Sequence, residues 1–235
     1  MQSKMLAAIR RYEMVQPGDT VICAVSGGAD SMALLCGMWL LKEKLGITVE
    51  AAHYNHNLRS EESDRDAEFV TKFCDFHDIR LHLGSGNVVA GAKGLEAAAR
   101  DARYRFLGRL NGTIATAHTA DDNAETVLMH LIRGTGLRGL GGITPKSDRL
   151  IRPMLDVTRT QVEKFLNENY IRHIEDSSNA TDAYLRNRLR HHVMPLLRAE
   201  NPSIAAGLSA AAQRIRADAQ LLDSLAWELE RTDVT

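Results

Sequence analysis

The stretch Thr20-Val21-Ile22-Cys23-Ala24-Val25-Ser26-Gly27-Gly28-Ala29-Asp30-Ser31, running into Met32-Ala33-Leu34-Leu35-Cys36, decides the fold. Val21 to Val25 is an apolar run too short for a helix and bounded by polar residues, which predicts a buried strand. Ser26, Gly27 and Gly28 predict a tight turn. Asp30 or Ser31 then caps a helix running to about Leu45, apolar on nearly every side and so buried. Strand, glycine turn and helix N-terminus in succession are how an α/β protein holds phosphate. The glycines let a ligand come close to the backbone, N–H groups point into the turn, and the helix dipole adds partial positive charge. Ser26, Gly27, Gly28, Ala29, Asp30 and Ser31 are therefore the candidate phosphate-binding residues. A Walker loop spaces its glycines wider and ends in Gly-Lys-Ser/Thr, and no lysine follows this turn; the Gly-x-Gly-x-x-Gly fingerprint is also absent. A plain Gly-Gly turn before a buried helix is the bland alternative, and it leaves the coincidence of strand, turn and cap unexplained.

Outward from this stretch, strands alternate with helices. Residues 1–15 read as a helix and Pro17-Gly18-Asp19 as a turn into the first strand. Ile47–Ala52, Ile79–Leu83 and Thr113–Ala117 read as further strands. Glu61–His77, Leu95–Leu110 and Asp121–Arg133 read as the helices between and after them. That alternation predicts a doubly wound parallel sheet of Rossmann-like type. After Arg133 the rhythm changes. Residues 134–150 are glycine-rich with no helical or strand period, and read as a mobile lid. Thr158–Asn169 and the chain from Arg186 onward read as helical, with breaks near Pro195 and at Asn201-Pro202. The expected division is an α/β domain over residues 1–150 and a smaller helical subdomain over 151–235.

In the last helix Ile204, Leu208, Ala211, Ile215, Ala219, Leu222, Ala226 and Leu229 make one apolar seam. It must pack on the domain, on further sequence, or on a partner chain; a homodimer is one arrangement it allows.

Composition narrows the class. With 235 residues, 44% of them hydrophobic, the chain can bury a sizeable core. A net charge of −1 excludes a global basic field, so any nucleic-acid surface must be local. Cys23, Cys36 and Cys74 are far apart and form no Cys-x-x-Cys, which argues against a disulfide framework or zinc ribbon. The first residues lack the apolar run of a secretory leader, and Ser31–Leu41 is too short to cross a bilayer. A reduced cytoplasmic enzyme with no membrane partner is the expectation.

Ligands of an open parallel sheet bind beyond the carboxyl ends of its strands. After the second strand comes His53-Tyr54-Asn55-His56-Asn57-Leu58-Arg59, suited to phosphate or ribose. After the glycine-rich segment 84–94 comes Glu96-Ala97-Ala98-Ala99-Arg100-Asp101-Ala102-Arg103-Tyr104, whose small residues allow close approach with Arg100 reaching in. After the fourth strand comes His118-Thr119-Ala120-Asp121-Asp122-Asn123-Ala124-Glu125. Asp122 and Glu125, three apart, share one face of a first helical turn and suit Mg²⁺ or a substrate ammonium. His118 is placed to bond a nucleotide or move a proton. Arg133 and Arg138 bracket the glycine loop. Arg186, Arg188 and Arg190, with His191 and His192, form the strongest basic cluster, fit for ATP phosphates or an RNA backbone.

Ser-Gly-Gly-x-Asp-Ser after a strand resembles the loop of the N-type ATP pyrophosphatases, the adenine nucleotide alpha hydrolase type of fold. Taken with His53 to Arg59, Glu96 to Tyr104, Ala117 to Thr126, Arg133 to Gly142, Arg152-Pro153 and Glu175 to Arg190, in that order, the chain is similar to the tRNA(Ile)-lysidine synthases. The resemblance implies ATP and Mg²⁺ on the Ser26–Ser31 turn, with Asp30 toward the metal. His53, Arg100 and Arg186 would contact ATP, Asp122 and Glu125 would hold free lysine with His118 nearby, and Arg133, Arg188 and Arg190 would meet the isoleucine tRNA with a CAU anticodon. It implies adenylylation of that tRNA's wobble cytidine and displacement of AMP by lysine. Family members usually carry a second histidine where Thr119 stands, which weakens any role for a histidine pair. Larger members add C-terminal tRNA-gripping domains, whereas this chain ends soon after the seam. The competing readings are a tRNA thiolase of the same superfamily, which needs reactive cysteines, and a module that binds ATP without turnover.

Overall fold

A computed structural model describes residues 1–56, 60–87, 94–174, 182 and 184–232. The elements are, in chain order, α1 (Gln2–Arg11), β1 (Thr20–Ala24), α2 (Ala29–Leu45), β2 (Thr48–Asn55), α3 (Ser60–Phe76), β3 (Leu81–Ser85), α4 (Leu95–Gly108) and β4 (Thr113–Ala115). There follow α5 (Ala120–Arg133), α6 (Leu137–Leu140), β5 (Lys146–Ser147), β6 (Leu150–Ile151), α7 (Arg159–Glu168), α8 (Leu185–Arg188), a π-helical turn (Leu189–Val193), α9 (Met194–Glu200) and α10 (Ile204–Thr232). No described helix is long and apolar enough to cross a membrane.

Contacts divide the chain into two compact units. The first is Met1–Ala117, Pro145–Met154 and Thr160–Asp176; the second is His118–Thr144, Leu155–Arg159 and Ser177–Thr235. This division differs from a single cut at residue 150, because α5 and the glycine segment cluster with the C-terminal helices.

The first unit holds the whole sheet, in the order β3-β2-β1-β4-β6-β5. β1 pairs in parallel with β2 on one side and β4 on the other, with Val21 opposite both Val49 and Thr113. The order therefore reverses at β1, as a doubly wound sheet requires. Val21, Ile22 and Cys23 are buried, as expected for a strand covered on both faces. Ile22 packs with Ala52, Leu107 and Ile114. α2 buries Met32, Leu34, Leu35 and Met38 completely, which accounts for its apolar residues on every side. The sheet is wider than the sequence suggested. Residues 145–151, which carry no strand period, form the two-residue strands β5 and β6 as an antiparallel hairpin, and β6 joins β4 in parallel. Strands this short leave no periodicity to read.

In the second unit α5 and α10 pack together through small residues. Ala124, Met194 and Ala205 form its buried centre, with Leu128, Leu197, Ile204 and Leu208 against them. Asn123 Nδ2 donates to Ser209 Oγ at 2.9 Å, which donates to Leu155 O at 3.0 Å, so the polar groups inside this contact are satisfied. The buried line of α10 runs through Ala205, Ser209, Ala212 and Ala219, beside the expected seam: Ile204, Leu208, Ala211 and Ile215 are half-buried, whereas Leu222, Ala226 and Leu229 are exposed. Near Pro195 the helix type changes without the chain leaving helical conformation. Proline lies in the first turn of α9, where its missing N–H costs little, and the π-helical turn before it absorbs the change in hydrogen-bond register.

Candidate nucleotide and ammonium sites

The turn after β1 is a self-bonded loop. Ser31 Oγ donates to Gly28 O at 2.8 Å and accepts from Ser26 N at 3.1 Å, and the two seryl oxygens are 3.2 Å apart. Ser31 thus folds back into the turn and does not cap α2; the N-cap is Gly28, with no side chain to fill the role. The first-turn N–H groups of α2 are left without a side-chain cap, the condition under which a helix N-terminus takes an anion. Ile174 fixes the turn from outside by donating its N–H to Gly27 O at 2.9 Å. Gly27 has φ +93°, a conformation side chains resist, and a Cβ there would also meet Ile174 Cδ1 at 2.8 Å. At Gly28 a Cβ would meet nothing closer than 3.5 Å. The chain's own packing therefore does not demand glycine at 28. Ala29 is buried and Asp30 half-buried in the first turn of α2.

His53 lies on β2, not on a loop, because the strand runs on to Asn55. Its ring is buried, with Nδ1 2.9 Å from Val25 O, the residue before the turn. Burial lowers its pKa, against the opposing effects of that hydrogen bond and of Asp66, so the ring is neutral at pH 7. His53 therefore ties β2 to the end of β1. Burial likewise lowers the pKa of His56, with Arg103 and His53 acting in the same direction. Asn57, Leu58 and Arg59, and likewise residues 88–93 and 175–181, were part of the expected site and lie outside the described residues.

α4 carries a group of guanidiniums. Arg100 and Arg103 stand 5.1 and 5.7 Å from the centre of the Tyr104 ring. Arg152, the first residue after β6, joins them: burial lowers its pKa, Tyr104 opposes that lowering, and Arg100 adds to it. For Arg103 the causes are the same in kind, burial first. Among the described residues neither Arg100 nor Arg103 pairs with a carboxylate. A cation–π contact contributes about 0.5–2 kcal/mol, less than the several kcal/mol that desolvating an ion costs. The ring alone does not balance this charge.

The second unit contains a closed ionic group. Thr119 caps α5: its Oγ1 accepts from Asp122 N at 3.3 Å, while Asp122 Oδ2 accepts from Thr119 N at 2.8 Å and from Thr119 Oγ1 at 3.0 Å. That reciprocal cap gives Thr119 a structural role at the start of α5. The other oxygen of Asp122 accepts from Arg186 at 2.9 Å and Arg190 at 3.2 Å. Glu125, only 2% exposed, accepts from Arg186 Nε at 2.8 Å and from Arg190 Nε and Nη2 at 2.7 and 2.9 Å. Burial would raise the Asp122 pKa; Arg186, the Thr119 cap, His118 and Arg190 outweigh it and hold the carboxyl below its ordinary value.

Asp122 and Glu125 thus share a face as their spacing implies, and Arg186 and Arg190, four apart, answer them from another. Arg186, expected at ATP phosphates, is engaged here. Arg188 is exposed and donates to Asp182 O at 3.1 Å, and Arg133 is exposed. Sequence reasoning passed over Asp121, which accepts from Arg198 Nη2 at 2.7 Å and from Arg159 N at 2.7 Å. The matched runs of acids at 121–125 and arginines at 186–198 were the signal. The glycine segment read as a lid is fastened within this unit: His130 Nδ1 contacts Gly139 O at 2.7 Å, Asn123 Oδ1 accepts from Ile143 N at 2.7 Å, and Arg216 donates to Ile143 O at 2.7 Å.

Cys23, Cys36 and Cys74 are all buried and free. Burial, the largest cause in each case, pushes Cys36 up to about 12 and Cys74 to about 11, and raises Cys23 further. None is poised as a nucleophile.

A parallel sheet reversing at β1, with an uncapped glycine turn at that point, defines a nucleotide-binding α/β protein. A family model described as PP-loop domain matches residues 1–197, and the chain belongs to that family. Among curated proteins it is similar to the tRNA(Ile)-lysidine synthase of Porphyromonas gingivalis strain W83, 42% identical over 219 residues that cover 88% of this chain and 47% of that protein. The synthase of Geobacillus kaustophilus strain HTA426 is 38% identical over 239 residues, covering 96% and 52%. That of Bacteroides thetaiotaomicron is 38% identical over 213 residues, covering 87% and 49%. The chain spans about half the length of these relatives. Among solved structures, the U34-tRNA thiolase NcsA from Methanococcus maripaludis shares the fold, with a TM-score of 0.73 at 16% identity, covering 92% of this chain and 77% of that one.

Proposed function

We propose that this chain carries the chemistry of lysidine formation: ATP-dependent joining of lysine to C2 of the wobble cytidine of the CAU-anticodon isoleucine tRNA. The observation that carries the reading is the Asp122–Glu125 pair, two carboxylates that accept hydrogen bonds from Arg186 and Arg190, in a chain similar to lysidine synthases. An ammonium can take the place of a guanidinium there; a neutral amide or a sulfur donor gains nothing from it.

The cytidine O2 attacks the α-phosphorus of ATP, the Pα–O–Pβ bond breaks, and pyrophosphate leaves. The lysine amine then attacks C2, the C2–O bond breaks, AMP leaves, and the amine loses a proton. The Ser26–Ser31 turn and the first turn of α2 hold the phosphates and stabilise charge on the leaving group. Arg100 adds positive charge. Asp122 and Glu125 hold the ammonium of lysine, and His118, within electrostatic reach of Asp122, accepts the proton that the attacking amine gives up. Mg²⁺ fits one place. Asp30 offers a hard oxygen ligand beside the turn, and no group of three or more metal-ligating side chains exists among the described residues. That suits a cation held largely by the nucleotide's own oxygens, where it would neutralise phosphate charge.

The buried thiols speak against the thiolase reading, and an ATP-binding module without turnover has no use for the carboxylate pair. Mass spectrometry of a CAU tRNA transcript, after incubation with the protein, ATP, Mg²⁺ and lysine, tests the proposal. A mass gain of lysine less water is expected. An unchanged transcript, or one gaining sulfur from a sulfur donor, overturns it.

A further inference from the structure

The ionic group at the start of α5 is balanced in charge and saturated in hydrogen bonds. An ionised carboxylate offers about four lone-pair positions. Asp122 uses them all: Oδ2 accepts from Thr119 N and Oγ1 at 2.8 and 3.0 Å, and Oδ1 accepts from Arg186 and Arg190 at 2.9 and 3.2 Å. Glu125 accepts once from Arg186 and twice from Arg190. Two carboxylates thus face two guanidiniums, and His118, also near Asp122, adds no negative charge. An ammonium entering with both arginines in place would set three cations upon two anions and would find the lone pairs of Asp122 taken. Glu125 is 2% exposed, so solvent does little to screen that excess. The group accepts a cation only by giving one up. Arg186 is the one that leaves more readily. It gives up two hydrogen bonds where Arg190 gives up three. It stands in the short helix α8, whereas Arg190 lies within the π-helical turn that runs on into α9. Its side chain is already 30% exposed.

We propose that Arg186 is an exchangeable internal counterion: it leaves the Asp122–Glu125 pair for a phosphate oxyanion, the ammonium of lysine takes the vacated place, and the two ligands therefore bind cooperatively. The inference rests on the assignment of the pair to lysine and goes beyond it, because it makes that site conditional on a second ligand. The second ligand is a phosphate for a chemical reason. A guanidinium fork matches two phosphate oxygens as it matches a carboxylate, so the move exchanges one set of charge-assisted hydrogen bonds for another. A guanidinium released to water keeps no such bonds, and lysine alone then has to meet the full cost of displacing it. Linkage makes the effect reciprocal: lysine raises the affinity for the phosphate ligand by the factor by which that ligand raises the affinity for lysine. The consequence is an order of events, with the amine admitted once the phosphate-bearing reactant is in place.

Calorimetric titration of L-lysine into the parent and Arg186→Met tests this, each alone, with α,β-methylene-ATP and with a CAU tRNA transcript. For the parent, at least one of the two phosphate ligands is expected to raise lysine affinity about tenfold or more, within the roughly 5–150-fold span usual for coupled sites. A gain with the nucleotide analogue assigns the oxyanion to the nucleotide; a gain with the transcript alone assigns it to the RNA backbone. Arg186→Met removes the internal competitor. Without any phosphate ligand it should bind lysine more tightly than the parent does, and a phosphate ligand should then change its affinity by less than about twofold. A merely structural role for Arg186 would not make a variant bind tighter. Norleucine, which lacks the ammonium, should bind no better to Arg186→Met than to the parent. Lysine affinity in the parent that is the same under all three conditions overturns the proposal, and it does so even if Arg186→Met does not fold. So does a folded Arg186→Met that binds lysine no tighter than the parent alone. The mass of the transcript after incubation with ATP, Mg²⁺ and lysine separates the two readings. Lysidine formed without coupling leaves the proposed function standing and removes the exchange; coupling without lysidine does the reverse.

Discussion

The phosphate turn and the Asp122–Glu125 pair handle charge in opposite ways. The turn is assembled from neutral groups. Two seryl hydroxyls and main-chain amides shape it, its N-cap is a glycine with nothing to offer, and it presents partial positive charge at no cost in buried ions. The carboxylate pair is assembled from full charges, and two arginines close upon it through several hydrogen bonds. A site of dipoles needs no counterion before its ligand comes. A site of buried carboxylates does, because unpaired ions inside a protein are costly. Under the proposed function, the first element stands ready for its ligand, whereas lysine would have to displace an arginine from the second.

Substitutions can break this contrast. Glu125→Ala leaves Arg186 and Arg190 with half their counter-charge and is expected to destabilise the protein by about 3–5 kcal/mol, read by chemical denaturation; a loss below 1 kcal/mol would show the arginines to be self-sufficient. Asp30→Ala removes no such partner from that pair. It should leave the melting temperature nearly unchanged while lowering pyrophosphate release by about 10²–10³-fold, the scale of losing one preorganised electrostatic group; a normal rate removes Asp30 from the chemistry. Asp122→Asn is expected to raise the lysine requirement by about tenfold and the ATP requirement much less, since a net charge of about one is lost from the ammonium site; equal effects would contradict the assignment.

The smallest effect concerns pH. Asp122 is held below its ordinary pKa, so its contribution to stability is fully present above the unfolded value and is lost as pH falls through the folded one. Stability of the parent should decline through the acid range more steeply than that of Asp122→Asn. Parallel acid limbs in urea titrations would show that the arginines do not hold that proton off.

Much of this was legible in the residues, for definite reasons. Val21 to Val25 with Gly27-Gly28 could be read because burial on both faces and a positive φ each leave a local signature. The Asp122–Glu125 pair could be read because helical spacing places them on one face. The role of Ser31 could not, since a hydroxyl folding back on Gly28 O looks the same in sequence as a helix cap. His53 looked like a loop residue because β2 extends past its last apolar position, and its pairing with β3 at Leu83 decides that.

By itself the sequence determined the order of the first four strands and the helices between them, the place of the turn, and the kinds of charge available, because periodicity and glycine are local properties. That the three thiols are buried and held protonated came from the structure. Only the tertiary structure decided which charges meet. Arg186 and Arg190 lie more than sixty residues from Asp122 and Glu125 along the chain, yet their guanidiniums close on those carboxylates; Arg100 and Arg103 instead stand beside the Tyr104 ring. An ion pair is a statement about distance in space, and the free energy of a buried charge depends on every neighbour the fold brings to it, so no local pattern in the chain can specify it.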